Sequence, residues 1–174
     1  MAFKAAASGR PGPAVLLCPK DITLDTKKYS VRKARKANLG HYPLDRTIAD
    51  PEKMKEAAKL LANAECPIIY AGGGVISSGA IEELRQIQEE CAVPVATTTM
   101  GKGSVDEEHP LTIGPIGYYM GKRGATKFLK PMVQRADVVL LVGNRTNQNG
   151  TDSWTLLPED ATYIHIDVDP MEIG

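Results

Sequence analysis

The residues best suited to chemistry follow directly on four short apolar runs. Gly72, Gly73 and Gly74 close PIIYAGGG (67–74), and Met100 and Gly101 close VPVATTTMG (93–101). Gly143 and Arg145 close VVLLVGNR (138–145), and Asp167 and Asp169 lie at the end of TYIHIDVDP (162–170). Glycines let a backbone approach a phosphate or a flat ring closely. An arginine fork grips phosphate or stacks on a ring, and a carboxylate accepts from ribose hydroxyls or an adenine amine. This set suits the seat of a nucleotide-like molecule better than a reaction centre. No Ser or Cys stands in a nucleophile-elbow context, and His41, His109 and His165 fall in a linker, a loop and a strand. The Asp pair has no further acid or histidine forced beside it, so one ligand contact and one cap for a helix starting at Pro170 is the expectation.

Stretches that read as helices separate the first three runs. Such alternation implies a parallel sheet, because parallel neighbours need a crossover. In such a sheet every strand ends on the same rim, where ligands bind. Asp50, Pro51 and Glu52 mark a helix start. Met54, Ala57, Ala58 and Leu61 then recur at helical spacing to about Ala64, giving a face that should cover the sheet. A second helix is expected from near Ser78, with Ile81, Leu84, Ile87 or Gln88, and Cys91 facing inward. A third spans roughly 122–136, broken or kinked by Pro131. The stretch 98–121, with five glycines and two prolines, reads as a long loop of the kind that carries function. Tyr118 and Tyr119 within it can stack on a ligand or simply pack. The polar run 144–154 can bond a ligand edge or form a loop anchored by Trp154.

Ahead of these elements, GRPGPAVLLCPKDI (9–22) reads as a buried strand near 14–18 with nothing close in sequence to cover it. Residues 26–46 read as a basic interdomain linker. The net charge of the chain is zero, yet residues 1–46 carry ten Lys/Arg against three Asp/Glu, and the remainder carries eleven against eighteen. One aromatic-poor basic tract without a binding fold is weak evidence for nucleic acid. No run is long enough to span a bilayer, and residues 1–16 lack the pattern of a secretory signal, so a cytoplasmic location is expected. Cys18, Cys66 and Cys91 fit neither a disulfide framework nor a zinc site. Cys66 and Cys91 are expected as small core residues.

GRPGPAVLLCPKD, AGGG, TTTMGKG, GPIGYYM, VGNR and HIDVDPMEIG, in this order, resemble the thiamine-diphosphate-dependent superfamily of acetolactate synthases, 2-hydroxyacyl-CoA lyases and decarboxylases. The resemblance implies an α/β fold whose Rossmann-like parallel sheet has helices on both faces. Residues 1–25 would be the end of a pyrimidine-binding domain, and 47–174 a central domain truncated at its C-terminus. It implies a parent enzyme using thiamine diphosphate and Mg2+, with partners in pyrimidine- and pyrophosphate-binding domains and in a homo-oligomer. The sites for thiamine diphosphate and Mg2+ would lie outside this chain, which would be a fragment with no catalytic or metal-binding residue of its own. It implies a variable central groove for FAD, ADP or coenzyme A, lined here by Gly72–Gly74, Met100, Gly101, Gly117, Arg145, Asp167 and Asp169. Where acetolactate synthases follow the arginine with Phe-Asp-Asp-Arg, this chain has Thr146, Asn147, Gln148 and Asn149. That departure leaves FAD, ADP or coenzyme A, and an empty scaffold groove all open. An NAD-binding Rossmann enzyme is the remaining alternative, but Thr97, Thr98 and Thr99 stand where that fingerprint needs a ribose-binding acid.

Overall fold

The computed structural model describes residues 1–26, 30 and 47–174. These form two compact units, Met1–Ile48 and Ala49–Gly174. The expected basic linker falls almost wholly outside the described residues. In the first unit, α1 (Ala2–Ala7) and α2 (Lys20–Leu24) flank an irregular stretch. The expected strand near 14–18 is not formed, and Val15, Leu16 and Leu17 are exposed. A strand needs a ladder partner, and no described segment pairs with this one.

The second unit is built on a five-stranded, all-parallel sheet: β1 (Pro67–Ala71), β2 (Val95–Thr97), β3 (Thr112–Pro115), β4 (Val138–Val142) and β5 (Thr162–Ile166). Their order is β3-β2-β1-β4-β5, so the connection after β3 crosses back to the far side of β1. Alternation along the strands separates two cores. Ile68, Tyr70, Val139 and Leu141 face one side, with Ile116, Met120, Val133 and Leu156. Ile69, Ala71 and Leu140 face the other, with Val75, Leu84 and Val105. Four of the five strands are those expected from the apolar runs. The fifth, β3, lies inside what reads as loop 98–121. Its pairing with β2 shifts register between Val95 and Ala96, with Gly114 at φ +83°. A Pro is tolerated because β3 is an edge strand.

Helices cover both faces, although less regularly than the sequence suggests. The helix α3 (Pro51–Ala62) starts as expected, with Asp50 Oδ1 accepting the Glu52 amide at 2.8 Å. Its apolar stripe is seated mainly through Leu61; Met54 and Leu60 remain exposed. The expected helix from Ser78 is two pieces. A short α4 (Gly73–Ser78) runs through the glycines themselves, and α5 (Ile81–Cys91) buries Leu84 and Gln88. Gly79 joins them in the left-handed region, at φ +73°. Around Pro131 only a 3₁₀ turn (Lys127–Leu129) and α6 (Lys130–Val133) form, because the ring cannot join an established helix ladder. Cys66 and Cys91 are exposed rather than in the core, each sitting at the end of an element where the chain has left the packed interior.

At the amino ends of the strands, Asp137 ties two neighbours together. Its carboxylate accepts the Glu65 amide at 2.7 Å and the Cys66 amide at 2.9 Å. These backbone donors hold its pKa below the ordinary aspartate value. A carboxylate lowered in this way stabilises the fold above its unfolded pKa of about 3.9 and loses that contribution as pH falls through the lower folded value. Asp137→Asn should therefore flatten the acid limb of a stability–pH curve below about pH 4. Urea midpoints measured for both proteins from pH 2 to 6 check this, and parallel curves would count against it.

Candidate functional site

The carboxyl rim of the sheet is closed by contacts between loop backbones. Past the end of β1, the Gly72 amide donates to the Val142 carbonyl at 2.8 Å and the Gly74 amide to the Gly143 carbonyl at 3.0 Å. The β1 and β4 exits therefore cross at contact distance. A Cβ on Gly72 would lie 2.1 Å from the Gly143 oxygen, and one on Gly74 would lie 2.5 Å from the Gly143 Cα. A Cβ on Gly73 would lie 3.1 Å from the Met100 Cβ, and one on Gly101 would lie 2.3 Å from the Ala71 carbonyl oxygen. Gly117 is at φ +92°, and a Cβ there would lie 2.4 Å from the Asn149 carbonyl oxygen, to which the Tyr118 amide donates. The expected site glycines are thus brought together on one rim. The closeness that requires them is to neighbouring loops.

Around this backbone framework stand the side chains. Arg145 is exposed and has no hydrogen-bond or ion-pair partner among the described residues. Met100 is 75% exposed, an apolar lip beside Gly73. Tyr118 and Tyr119 stack on each other, with centroids 4.1 Å apart and planes inclined by 30°. The neighbouring Tyr118 and then Thr99 hydroxyls, with the Lys102 charge nearby, hold the Tyr119 pKa below the ordinary phenol value, and Tyr119 pushes that of Tyr118 up.

The aspartates behave differently from expectation. Asp167 Oδ1 accepts the Asp169 amide at 2.9 Å, and Asp169 Oδ1 accepts the Met171 amide at 3.0 Å. Both make local turn bonds. No helix starts at Pro170, where the chain only turns, so the cap role is spread over two side chains. His165 on β5 contacts the Asn144 carbonyl through Nε2 at 2.9 Å. A carbonyl only accepts, so Nε2 carries the proton. His109 Nδ1 accepts the Leu111 amide at 3.2 Å, as a loop brace. No group of three His, Cys, Asp or Glu fit to hold a metal occurs among the described residues. Two shallow concavities lie at the opposite, amino edge of the sheet, near Asp137 and Asp160, away from this rim.

Two buried polar positions beside the rim escape a reading by residue type. Tyr70 sits in the middle of the β1 apolar run, fully buried, and its hydroxyl donates to the Gly150 carbonyl at 2.5 Å. Asn144, just ahead of Arg145, is 4% exposed. Its Oδ1 accepts the Thr146 amide at 2.9 Å. The one available signal was a tyrosine inside a run of aliphatics, which demands a buried partner for its hydroxyl. The polar run 144–154 consumes its own amides: Asn147 Oδ1 accepts the Gly150 amide, and the Trp154 indole donates to the Thr146 carbonyl. It is an internally bonded loop.

An all-parallel sheet is shared by many families, and comparison with known proteins separates them. A family model described as the central domain of thiamine pyrophosphate enzymes matches residues 54–174. The chain belongs to this family. The match covers every strand of the sheet and the whole rim. Curated relatives match nearly the full chain. A probable acetolactate synthase large subunit from Methanocaldococcus jannaschii is 42% identical over 99% of this chain and 28% of its own length. An acetolactate synthase from Arthrospira platensis is 36% identical over 99% and 29%, and one from Mycobacterium bovis 35% over 99% and 27%. The chain thus spans little more than a quarter of the curated relatives it matches. No helix among the described residues is long and apolar enough to cross a membrane.

Proposed function

We propose that this chain is the central domain of an acetolactate-synthase-like enzyme acting on 2-oxo or 2-hydroxy acyl substrates, and that its rim seats the adenine-nucleotide part of FAD, ADP or coenzyme A. The observation that carries this reading is the exposed, unpaired Arg145 beside the Gly72–Gly74/Gly143 crossing. A permanent cation there stands next to backbone that an anion can approach. Met100 and the Tyr118–Tyr119 pair offer apolar and aromatic surface on the same rim, and Asp167 and Asp169 offer carboxylate acceptors beyond β5.

The described residues do not fit thiamine diphosphate with its magnesium ion, since no set of acidic or histidine ligands converges. In this reading that cofactor, which stabilises the acyl carbanion, is held by pyrimidine- and pyrophosphate-binding domains of the parent enzyme, with residues 1–25 as the end of the former. The central domain positions these partners in a homo-oligomer. It takes no part in the covalent step itself.

Calorimetric titration of the chain with FAD, ADP, coenzyme A and NAD tests the site. Losing one charge-assisted phosphate contact costs about 1.5–3 kcal/mol, so Arg145→Ala should weaken FAD or ADP binding by roughly 10- to 150-fold. Equal binding by wild type and variant would remove Arg145 from the site. An absence of binding to every nucleotide would favour the second reading, a scaffold with an empty groove.

A further inference from the structure

Beneath Arg145 lies a buried polar brace to which no relative's name assigns a role. Tyr70 belongs to the central strand and has no exposure, so its ring is fixed within the core on one face of the sheet. Its hydroxyl reaches out of that core to the Gly150 carbonyl, in the loop that follows β4. Burial pushes its pKa well up, so it stays a neutral donor at all ordinary pH. Asn144 lies against the same hydroxyl, opposing part of that upward push. Its Nδ2 is nevertheless buried without a partner in hydrogen-bond geometry, while its Oδ1 turns the chain by accepting the Thr146 amide. The Asn144 carbonyl is held from the other side by His165. Thr146 follows at φ +48°, a left-handed position that a non-glycine residue keeps only when its surroundings enforce it.

Every fixed point of segment 143–150 is therefore a neighbour of Arg145 in sequence or one turn beyond it. Arg145 itself is held by nothing. We infer that Tyr70 and Asn144 are positioning residues: the Tyr70 hydroxyl and the Asn144 amide pin the β4 exit loop at Gly150 and Thr146 and so aim Arg145 at the rim. This rests on the reading of Arg145 as an anion contact. The left-handed backbone at Thr146 and the buried, incompletely bonded Asn144 are of the kind that clusters where geometry matters more than stability.

The test uses the complete 174-residue chain and Tyr70→Phe, which keeps the ring and the core. Hydrogen exchange of segment 143–151 and ADP and FAD titrations are measured for wild type, Y70F, R145A and the double variant. The inference expects faster exchange in 143–151 in Y70F and about a fivefold or greater loss of affinity. It also expects no additional loss in the double variant beyond R145A alone, because a residue acting through Arg145 has nothing left to position. Losses that add would show a merely structural role and overturn it, as would unchanged exchange. Asn144→Asp, which keeps the acceptor for Thr146, should retain more affinity than Asn144→Ala. If wild type binds neither nucleotide, the site reading fails, and the exchange arm alone decides the brace: accelerated exchange upholds it, and unchanged exchange refutes it.

Discussion

Gly72→Ala should lower stability by about 3 kcal/mol or more, the upper range for forcing extra volume into a packed interior. The reason is specific. Gly72 has φ −104°, a conformation open to any residue, so the substitution meets no backbone preference. It meets the Gly143 carbonyl oxygen at 2.1 Å and the Asn144 Cα at 2.8 Å. Those are main-chain atoms joined to the central strands by the Gly72–Val142 and Gly74–Gly143 bonds, and they cannot swing aside as a side chain would. The two strand exits must separate, and with them the loop that carries Arg145. Urea unfolding of the variant gives the value. The control is Gly79→Ala, where nothing lies within 4 Å but φ is +73°. There the cost is only that of a left-handed alanine, about 1 kcal/mol. If Gly72→Ala proved no worse than the control, the close crossing would not be the constraint at that glycine.

The contrast between these glycines explains what the sequence could reveal. AGGG after an apolar run announces a close backbone approach, but not what approaches. A phosphate and the Gly143 carbonyl make the same demand on residue type, and only the structure shows that the neighbouring loop is there. The strands β1, β2 and β4 were legible because buried parallel strands are near-continuous apolar runs, and β5 because its β-branched and aromatic residues alternate between turn signals. The strand β3 was not, because TIGP at an edge is short, shifts register and needs no apolar run to pair. The helix α4 was hidden for a related reason: GGVISS has poor helix propensity and forms one turn and a half only where the β4 exit backs it. The apolar run AVLLC misled in the opposite direction. Its composition fits a strand, but composition supplies no ladder partner. Charge and capping rules placed the start of α3 correctly, since Asp50, Pro51 and Glu52 act within one turn. They could not show that Met54 would stay exposed, because that depends on where the sheet lies.

Tyr70→Ala should cost about 3–5 kcal/mol, the range for removing a large buried aromatic side chain, whereas Tyr70→Phe should cost only about 1 kcal/mol for its hydrogen bond. The large figure comes from the core. Tyr70 packs among Ile68, Ala96, Ile116, Met120, Val139 and Leu141, all buried, and pairs in register with both Ala96 and Leu141. Alanine would leave a cavity at the centre of the sheet that neighbouring strands, held by ladders on both sides, cannot collapse to fill. The small figure measures the link to the rim. The two variants therefore separate what a single residue does for the fold from what it does for the loop above it. Comparing thermal unfolding with exchange in 143–151 makes the distinction measurable. Phe should keep the global transition near that of wild type while releasing the loop, and Ala should lower both together. A Phe variant that lost global stability as Ala does would mean that the hydroxyl serves the core, and that the geometry of Arg145 is set elsewhere.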